Sequence, residues 1–285
     1  MYTTLISAEQ LQSLQHSGQA VMIFDCSYDL MQPEAGAAQY LQAHIAGALH
    51  ADLNLHLSAQ PGRPQASGGR HPLPSREDFA VWLSAIGFDN NMQAVVYDRQ
   101  GANYCGRLWW MLKWVGVEAV AVLDGGLPTW QAAGGAVASG PSPARQSSRF
   151  ELTAAKTRLS TAQDVAGQLG QAGQTLLDAR APARFKGEVE PLDPVAGHIP
   201  GALNRSFVQN FGPDGKFKSP EVLRREFQDL LGEQDSSSVV HQCGSGVSAV
   251  PNLLAMEIAG LGRGALFAGS WSEWCSDPAR PVAKG

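Results

Sequence analysis

The chain has 285 residues, of which 44% are hydrophobic and 16% are charged, and its formal net charge at pH 7 is −5. This composition predicts one large or two ordinary globular domains and excludes intrinsic disorder. A slightly acidic chain without a Lys/Arg cluster argues against nucleic acids and anionic membranes as partners, and no apolar run approaches the roughly 20 residues of a membrane span.

Short apolar segments rich in β-branched residues alternate along the chain with segments of helical length. This alternation predicts an α/β fold in which a parallel sheet carries helices on both faces. The predicted strands, in chain order, are Ala20–Asp25, Ala94–Tyr97, Val120–Leu123, Thr175–Asp178, Val239–Gln242 and Ala265–Phe267. The predicted helices are Ala8–Ser17, Arg76–Ile86, Tyr104–Val115, Ser160–Gly170, Pro220–Leu231 and Val250–Ala259, with Ser160 and Ser219 as N-caps.

The two halves of the chain share one plan. The heptapeptide AHIAGAL at 43–49 returns as GHIPGAL at 197–203, and Val95-Val96 returns as Val239-Val240. The first pair is 154 positions apart and the second is 144, so the first half holds about ten extra residues, which we assign to the Pro/Gly/Ser-rich stretch 59–74. The repeat predicts one domain at 1–138, a linker at 139–149 rich in Ser and Pro, and a second domain at 150–285.

A cysteine stands at the carboxyl end of one predicted strand. From Cys243 the sequence reads CGSGVSAV before the next predicted helix continues. In α/β sheets ligands bind beyond the carboxyl ends of the strands. The glycines permit unusual backbone angles, and the start of a helix leaves N–H groups without acceptors. We therefore expect a cradle for an anion, which favours the thiolate form of Cys243.

The other three cysteines lack such surroundings. No glycine pair follows Cys26, Cys105 or Cys275, and buried packing is expected for each. No CxxC spacing and no Cys/His quartet is present, so neither a metal nor an organic cofactor is predicted. Without a secretory signal at the start of the chain, we expect free thiols in a reducing cytoplasm.

Three chemistries use a cysteine in a loop of this kind. Phosphate-ester hydrolysis or arsenate reduction needs an arginine six positions after the cysteine, where this chain has Ala249. Acyl transfer by a Cys–His pair stays open, because the base can come from any part of the chain. Sulfur transfer needs a thiolate nucleophile, amides that stabilise an anion and a cation for an anionic donor.

The repeat, the GHIPGALN segment, the CGSGVS loop and the final Trp-Ser-Glu-Trp together resemble the tandem-domain rhodaneses over nearly the whole chain. Within that superfamily the loop is most similar to that of the 3-mercaptopyruvate sulfurtransferases, typically CGSGVT, with Ser248 in place of the usual threonine. The thiosulfate sulfurtransferases, typically CRKGVT, are a close second. The resemblance implies two rhodanese-like domains, of which the first is catalytically empty, since Arg99 matches the position of Cys243.

The resemblance also implies roles for individual residues. Cys243 would be the nucleophile, and Ser245 and His71 match two members of the proton relay that is proposed for the mercaptopyruvate enzymes. Asn54 or Asp52 would orient the histidine. The residues expected to bind the substrate are Arg184, Gly244, Gly246, Val247 and Ser248.

One departure from the family concerns the donor. The mercaptopyruvate enzymes often carry a second arginine shortly before the GHIPG segment, but residues 188–194 read EVEPLDP. Arg180 or Lys186 could compensate. This departure favours thiosulfate, whereas the neutral Gly244-Ser245 pair favours mercaptopyruvate.

The predicted function is a sulfurtransferase that moves a sulfane sulfur from 3-mercaptopyruvate to a thiol or cyanide through a Cys243 persulfide. The alternatives are a thiosulfate:cyanide sulfurtransferase and a sulfur-relay or regulatory binding module. The expected partners are a small anionic sulfur donor and an acceptor such as cyanide, a small thiol or thioredoxin. We expect a monomer.

Overall fold

Five parallel strands form the central sheet in each half of the described chain, which in this computed structural model comprises residues 1–171 and 173–285. In the first half the strands are β1 (Leu5–Ile6), β2 (Val21–Asp25), β3 (His44–Ile45), β4 (Leu49–His50), β5 (Gln93–Tyr97), β6 (Val120–Leu123) and β7 (Val137–Ala138). The helices there are α1 (Ala8–His16), α2 (Ala35–Gln42), α3 (Arg76–Ala85), α4 (Cys105–Trp114) and α5 (Gly126–Ala132).

The second half repeats this series. Its strands are β8 (Arg158–Ser160), β9 (Thr175–Asp178), β10 (Leu203–Asn204), β11 (Val239–Gln242) and β12 (Ala265–Phe267). Its helices are α6 (Ala162–Gly167), α7 (Pro182–Phe185), α8 (Pro220–Leu231), α9 (Val250–Ile258) and α10 (Ser270–Trp274), and short 3-10 helices span Phe207–Asn210 and Ser236–Ser238.

The two sheets have the same topology. The strand order is β1-β6-β5-β2-β4 in the first and β8-β12-β11-β9-β10 in the second, and every pairing within these sheets is parallel. Strands β3 and β7 form a separate antiparallel pair. The matching strand order confirms that the two halves share one fold, as the sequence repeat predicts.

Helices cover both faces of the second sheet. Successive residues of a strand point to opposite faces, so the contacts of neighbouring residues show what packs on each face. Leu176 and Val240 belong to an apolar cluster that includes Val165 of α6 and Trp271 of α10. Their neighbours in the sequence, Leu177 and Val239, belong to a second cluster with residues of α8 and α9. This confirms the predicted fold class.

The chain divides into two compact units that do not follow the sequence halves. The first comprises Met1–Pro64, Pro74–Lys156 and Pro213–Lys216, and the second comprises Gln65–Leu73, Thr157–Gly212 and Phe217–Gly285. The segment Gln65–Leu73, part of the extra stretch in the first half, thus belongs to the second unit. The domain bounds of 1–138 and 150–285 stay a prediction.

The predicted N-cap at Ser160 is wrong. Ser160 is the last residue of β8 and pairs with Phe267, so it is still extended. Thr161 caps α6 instead: its side chain accepts from the Asp164 N–H, and the Asp164 carboxylate accepts from the Thr161 N–H. The cap predicted at Ser219 is confirmed by its bond from the Val222 N–H.

None of the helices in the described part of the chain is long and apolar enough to cross a membrane.

Candidate active site

Cys243 directly follows β11, which lies in the middle of the second sheet. Its backbone N–H donates to Ser270 Oγ at 3.0 Å, and its carbonyl accepts from the Trp271 N–H at 3.0 Å. The Gly244 carbonyl accepts from the Ser272 N–H at 2.9 Å. The start of the loop is therefore fixed against the start of α10, and the Cys243 side chain is held at the carboxyl end of the sheet.

Ser270 carries an unusual conformation to make this contact. It is fully buried with a φ of 52°, in the left-handed region that a serine rarely adopts. Its hydroxyl donates to the Phe267 carbonyl at 2.9 Å while it accepts from Cys243. Sequence reasoning missed this residue, because nothing in the segment FAGSWSEW signals a strained backbone.

Gly246 is the position at which the loop requires glycine. Its φ is +72°, and a Cβ there would lie 2.1 Å from the Ala268 carbonyl oxygen, closer than any side chain tolerates. Gly244 differs, since the three atoms nearest to a Cβ there would be guanidinium nitrogens at 3.4–3.6 Å. The two glycines predicted to shape the loop thus serve different purposes: one permits the turn, and the other leaves space open.

The loop contains several amides without acceptors. In the part of the chain that the structure describes, the backbone N–H groups of Gly244, Ser245, Val247 and Ser248 make no hydrogen bond to protein. All but Ser248, which is half-buried, are buried together with Cys243. Because unpaired buried donors are costly, such a group of amides is suited to an anion.

The first half holds an internal comparison for this loop. There the Asp98 carboxylate accepts hydrogen bonds from the N–H groups of Gln100, Ala102, Tyr104 and Cys105 at 2.8–3.1 Å. Asp98 is buried, and burial raises the pKa of its carboxyl group while the amide bonds act in the opposite direction. In the corresponding loop of the first half, four N–H groups are thus already bonded to an internal carboxylate.

Ser245 and His71 are brought together by the fold. Ser245 Oγ and His71 Nδ1 are joined by a hydrogen bond of 2.8 Å, and both residues are buried. His71 comes from the segment Gln65–Leu73, which is anchored by a bond from the Arg70 N–H to Ser272 Oγ at 3.0 Å. Two residues that are 174 positions apart therefore form one contact within the second unit.

Arg184, on α7, lies over the same loop. Its Nη1 is 3.5 Å from the place that a Cβ on Gly244 would take, and its side chain is 18% exposed. Glu190 holds the guanidinium through Nη2 at 2.6 Å, and Asp193 contacts the same nitrogen at 3.2 Å. The predicted donor-binding arginine therefore stands beside Cys243 with one nitrogen directed at Gly244.

Arg180 and Asp178 form a buried ion pair of 2.7 Å. Arg180 also donates to the Gly197 carbonyl at 2.8 Å, stacks over the Trp271 ring at 4.8 Å and lies 3.5 Å from Glu190. Arg180 thus contacts both Glu190, which holds Arg184, and Trp271, whose backbone N–H donates to the Cys243 carbonyl.

The other cysteines are chemically unlike a nucleophile. Burial raises the pKa of the Cys26 and Cys105 thiols well above the usual range, and it raises the pKa of Cys275. No disulfide links the four cysteines, and the described residues include no group of three or more His, Cys, Asp or Glu arranged for a metal ion.

Asp52 and Asn54, the two residues considered for orienting His71, lie in the first unit. The Asp52 carboxylate accepts from the Asn54 and Leu55 N–H groups, and the Asn54 side chain donates to the Tyr28 hydroxyl at 2.6 Å. Sequence reasoning also missed Arg70, Glu190 and Asp193, which surround Arg184. The one available signal was that Arg70 directly precedes His71.

Known proteins match both halves of the chain. The family described as Rhodanese-like domain matches residues 7–133 and 161–277. A probable 3-mercaptopyruvate sulfurtransferase from Pseudomonas aeruginosa is 45% identical over 282 residues, covering 99% of this chain and 98% of the relative. A putative thiosulfate sulfurtransferase, SseB, from Mycobacterium tuberculosis is 40% identical over 285 residues, covering 99% and 97%.

A solved structure agrees with these relatives. The crystal structure of SseA from Escherichia coli, whose description concerns 3-mercaptopyruvate sulfotransferases, superposes with a TM-score of 0.79 at 30% identity. It covers 95% of this chain and 100% of its own. The chain therefore belongs to the rhodanese family, carries two copies of the rhodanese-like domain, and is a sulfurtransferase.

Proposed function

We propose that this enzyme transfers a sulfane sulfur from 3-mercaptopyruvate to a thiol or to cyanide, and that Cys243 carries the sulfur as a persulfide. The observation that carries the choice of donor is the hydrogen bond of 2.8 Å between Ser245, in the loop of Cys243, and His71. Mercaptopyruvate releases a carbanion equivalent that must take up a proton, whereas thiosulfate releases sulfite, which needs none. A proton-transferring pair beside the nucleophile is therefore of use with mercaptopyruvate.

The first half-reaction uses the groups around Cys243. The thiolate attacks the sulfur of mercaptopyruvate, a bond between the two sulfur atoms forms, and the carbon–sulfur bond breaks with its electrons going to the enolate of pyruvate. Ser245 delivers its hydroxyl proton to the enolate carbon, which yields pyruvate, and recovers a proton from His71. The thiol proton of the donor sulfur restores His71, so the outer sulfur of the persulfide is left as an anion. Arg184 holds the donor carboxylate by a charge-assisted hydrogen bond.

The persulfide then rests among the unpaired amides of the loop. The N–H groups of Gly244, Ser245, Val247 and Ser248 have no protein acceptor in the described chain and would stabilise the terminal sulfur anion. In the second half-reaction, cyanide or the thiolate of a small thiol or of thioredoxin takes the outer sulfur, and Cys243 leaves as the thiolate. We place this reaction in the cytoplasm and assign it to the monomer.

The second candidate donor is thiosulfate. A relative of 40% identity is named a putative thiosulfate sulfurtransferase, and the guanidinium of Arg184 suits a sulfonate-like group as well as a carboxylate. With this donor the thiolate takes the outer sulfur and sulfite leaves.

Steady-state turnover with each donor tests the proposal. We expect kcat/KM to be at least about 10-fold higher with mercaptopyruvate than with thiosulfate, since only the former uses the Ser245–His71 pair. Cys243→Ser should abolish turnover of both donors, and Cys275→Ser, a buried thiol of the same unit, should keep it. Higher kcat/KM with thiosulfate would overturn the choice of donor, and activity in Cys243→Ser would overturn the nucleophile.

A further inference from the structure

The stretch 188–194, in which the family resemblance leads one to expect a second donor-binding arginine, carries a buried acidic side chain instead. Residues 188–194 contain no arginine, and the Asp193 carboxylate is only 3% exposed. It does not stand alone, because two guanidinium groups reach it: Arg184 Nη2 at 3.2 Å and Arg70 Nη1 at 2.7 Å. A buried carboxylate between two arginines fixes the direction in which both of them point.

Both arginines direct a nitrogen to the same spot. The place of a Cβ on Gly244 lies 3.4 Å from Arg70 Nη2 and 3.5 Å from Arg184 Nη1. Within residues 1–171 and 173–285, neither of these two nitrogens has a hydrogen-bond acceptor. The Nε of Arg70 is also buried and unpaired. Two cationic donors without acceptors thus converge over the residue that follows the nucleophile.

Both guanidinium groups at this spot are partly accessible to solvent. The side chains of Arg70 and Arg184 are 25% and 18% exposed, and Gly244 places no side chain there. The arginines are held by carboxylates on their other nitrogens, so little conformational freedom would be lost when an anion binds. An oxyanion at this position would lie over Gly244, the residue that follows Cys243. Only a short donor molecule could therefore place its anionic end there and its sulfur at Cys243.

We infer that Arg70 is the second donor-binding arginine of this enzyme, and that with Arg184 it holds the anionic end of the sulfur donor over Gly244. The inference rests on the proposed function, because it takes Cys243 as the atom that receives the sulfur. Residues 188–194 contain no arginine, and Arg70, from the first half of the sequence, supplies the second guanidinium group instead. The group it recognises is a carboxylate beside a carbonyl, or the sulfonate-like end of thiosulfate.

Donor binding without turnover tests this inference separately from the chemistry. In a Cys243→Ser background, the Kd of mercaptopyruvate is measured by calorimetry, with and without Arg70→Gln. We expect Arg70→Gln to weaken binding about 10-fold to 100-fold, as the loss of one charge-assisted hydrogen bond does. Arg70→Lys keeps the positive charge but not the planar guanidinium group, so its Kd should lie between that of the parent and that of Arg70→Gln.

Arg263→Gln is the matched control, because Arg263 is also a partly exposed arginine of the second unit, 30% exposed and paired with Glu257 at 2.9 Å. It should bind the donor as the parent does. In the otherwise wild-type enzyme, Arg70→Gln should raise KM by the same factor and change kcat by less than about 3-fold.

A second variant guards against a folding effect of Arg70→Gln. Gly244→Ala meets no atom closer than 3.4 Å, so it should keep the wild-type melting temperature while its methyl group displaces the anion and raises KM. Equal Kd values for Arg70→Gln and Arg263→Gln would overturn the inference and leave the proposed function intact. If Arg70→Gln weakens donor binding but the wild-type enzyme does not load sulfur on Cys243, the proposed function is overturned instead.

Discussion

Asp98 and Gln242 hold matching positions in the two halves, 144 positions apart: Asp98 directly follows β5, and Gln242 is the last residue of β11. The Asp98 carboxylate accepts hydrogen bonds from four backbone N–H groups that follow it in the chain. Gln242 is neutral, fully buried and, among the described residues, has no hydrogen-bond partner for its side-chain amide. The exchange of a carboxylate for an amide thus supports the view that the second loop keeps its N–H groups for an external anion.

Arg99 adds to the contrast at the next position. It stands where the second half has Cys243, and its guanidinium is bound to the Asp25 carboxylate at 3.1 Å. The first loop therefore has an arginine, bound to Asp25, where the second loop has a thiol. This supports the prediction of a catalytically empty first domain.

The Ser245–His71 pair leads to a prediction that separates the two donors. Ser245→Ala and His71→Gln should each lower kcat with mercaptopyruvate by about 100-fold, because the enolate loses its proton donor. With thiosulfate the same variants should change kcat by less than about 5-fold, since sulfite leaves without a proton. Stopped assays of pyruvate and sulfite release would measure both effects.

Two exposed residues provide the matched controls: Ser276→Ala and His16→Gln should leave both rates unchanged. Equal losses with the two donors would contradict a proton-transfer role, because they would point to a general disturbance of the loop.

At the level of secondary structure, the elements whose bounds could be predicted are short buried apolar strands and the amphipathic helix α8, which buries Leu223, Phe227 and Leu231. β6, β9, β11, β12 and α8 begin and end where the sequence predicts. The missed elements include the helices α2 and α5 and the strands Leu49–His50 and Leu203–Asn204. These strands have two residues each, too few for a periodic pattern. They are strands only because β2 and β9 offer them an edge to pair with.

The candidate site was predictable where it lies on one loop. Cys243 and Gly246 could be recognised from strand–loop–helix order and from the glycines, whereas Ser245, His71 and Arg184 needed the family resemblance. Arg70 and Ser270 could not be found, because their roles depend on contacts made across the fold. No local pattern indicates that Gln65–Leu73 joins the second unit.

For the molecule as a whole, a buried histidine links stability to pH. His241 lies in β11, is fully buried, and in the described chain neither ring nitrogen has a hydrogen-bond partner. Burial lowers its pKa to about 3, against about 6.5 for an unfolded chain. Between these values the unfolded state binds a proton that the native state does not.

The free energy of unfolding should therefore be highest above about pH 6.5 and fall by up to about 1.4 kcal/mol per pH unit below it through this residue. His241→Leu should remove that part of the acid sensitivity, so urea unfolding midpoints of the variant and the parent should diverge between pH 7 and pH 4.5. His16→Leu, at an exposed histidine, should follow the parent. Parallel curves for His241→Leu and the parent would show that His241 takes up a proton in the native state.

The whole chain also differs from a simple tandem of its halves. The second unit contains the segment Gln65–Leu73, and with it both His71 and Arg70. Cys243 lies in the second half of the sequence, but His71, the partner of the proposed proton donor, and Arg70, the inferred second arginine, come from the first half. The proposed roles of His71 and Arg70 would account for the presence of the extra residues in the first half of the repeat alone.

Mass spectrometry of the intact enzyme and its peptides after brief exposure to mercaptopyruvate, without an acceptor, tests the central claim most directly. The account predicts a gain of one sulfur atom on the peptide that contains Cys243, its loss on addition of cyanide, and no gain on the Cys275 peptide or in Cys243→Ser. Pyruvate formed while the mass of the Cys243 peptide stays unchanged, or sulfur found on another cysteine, would contradict it.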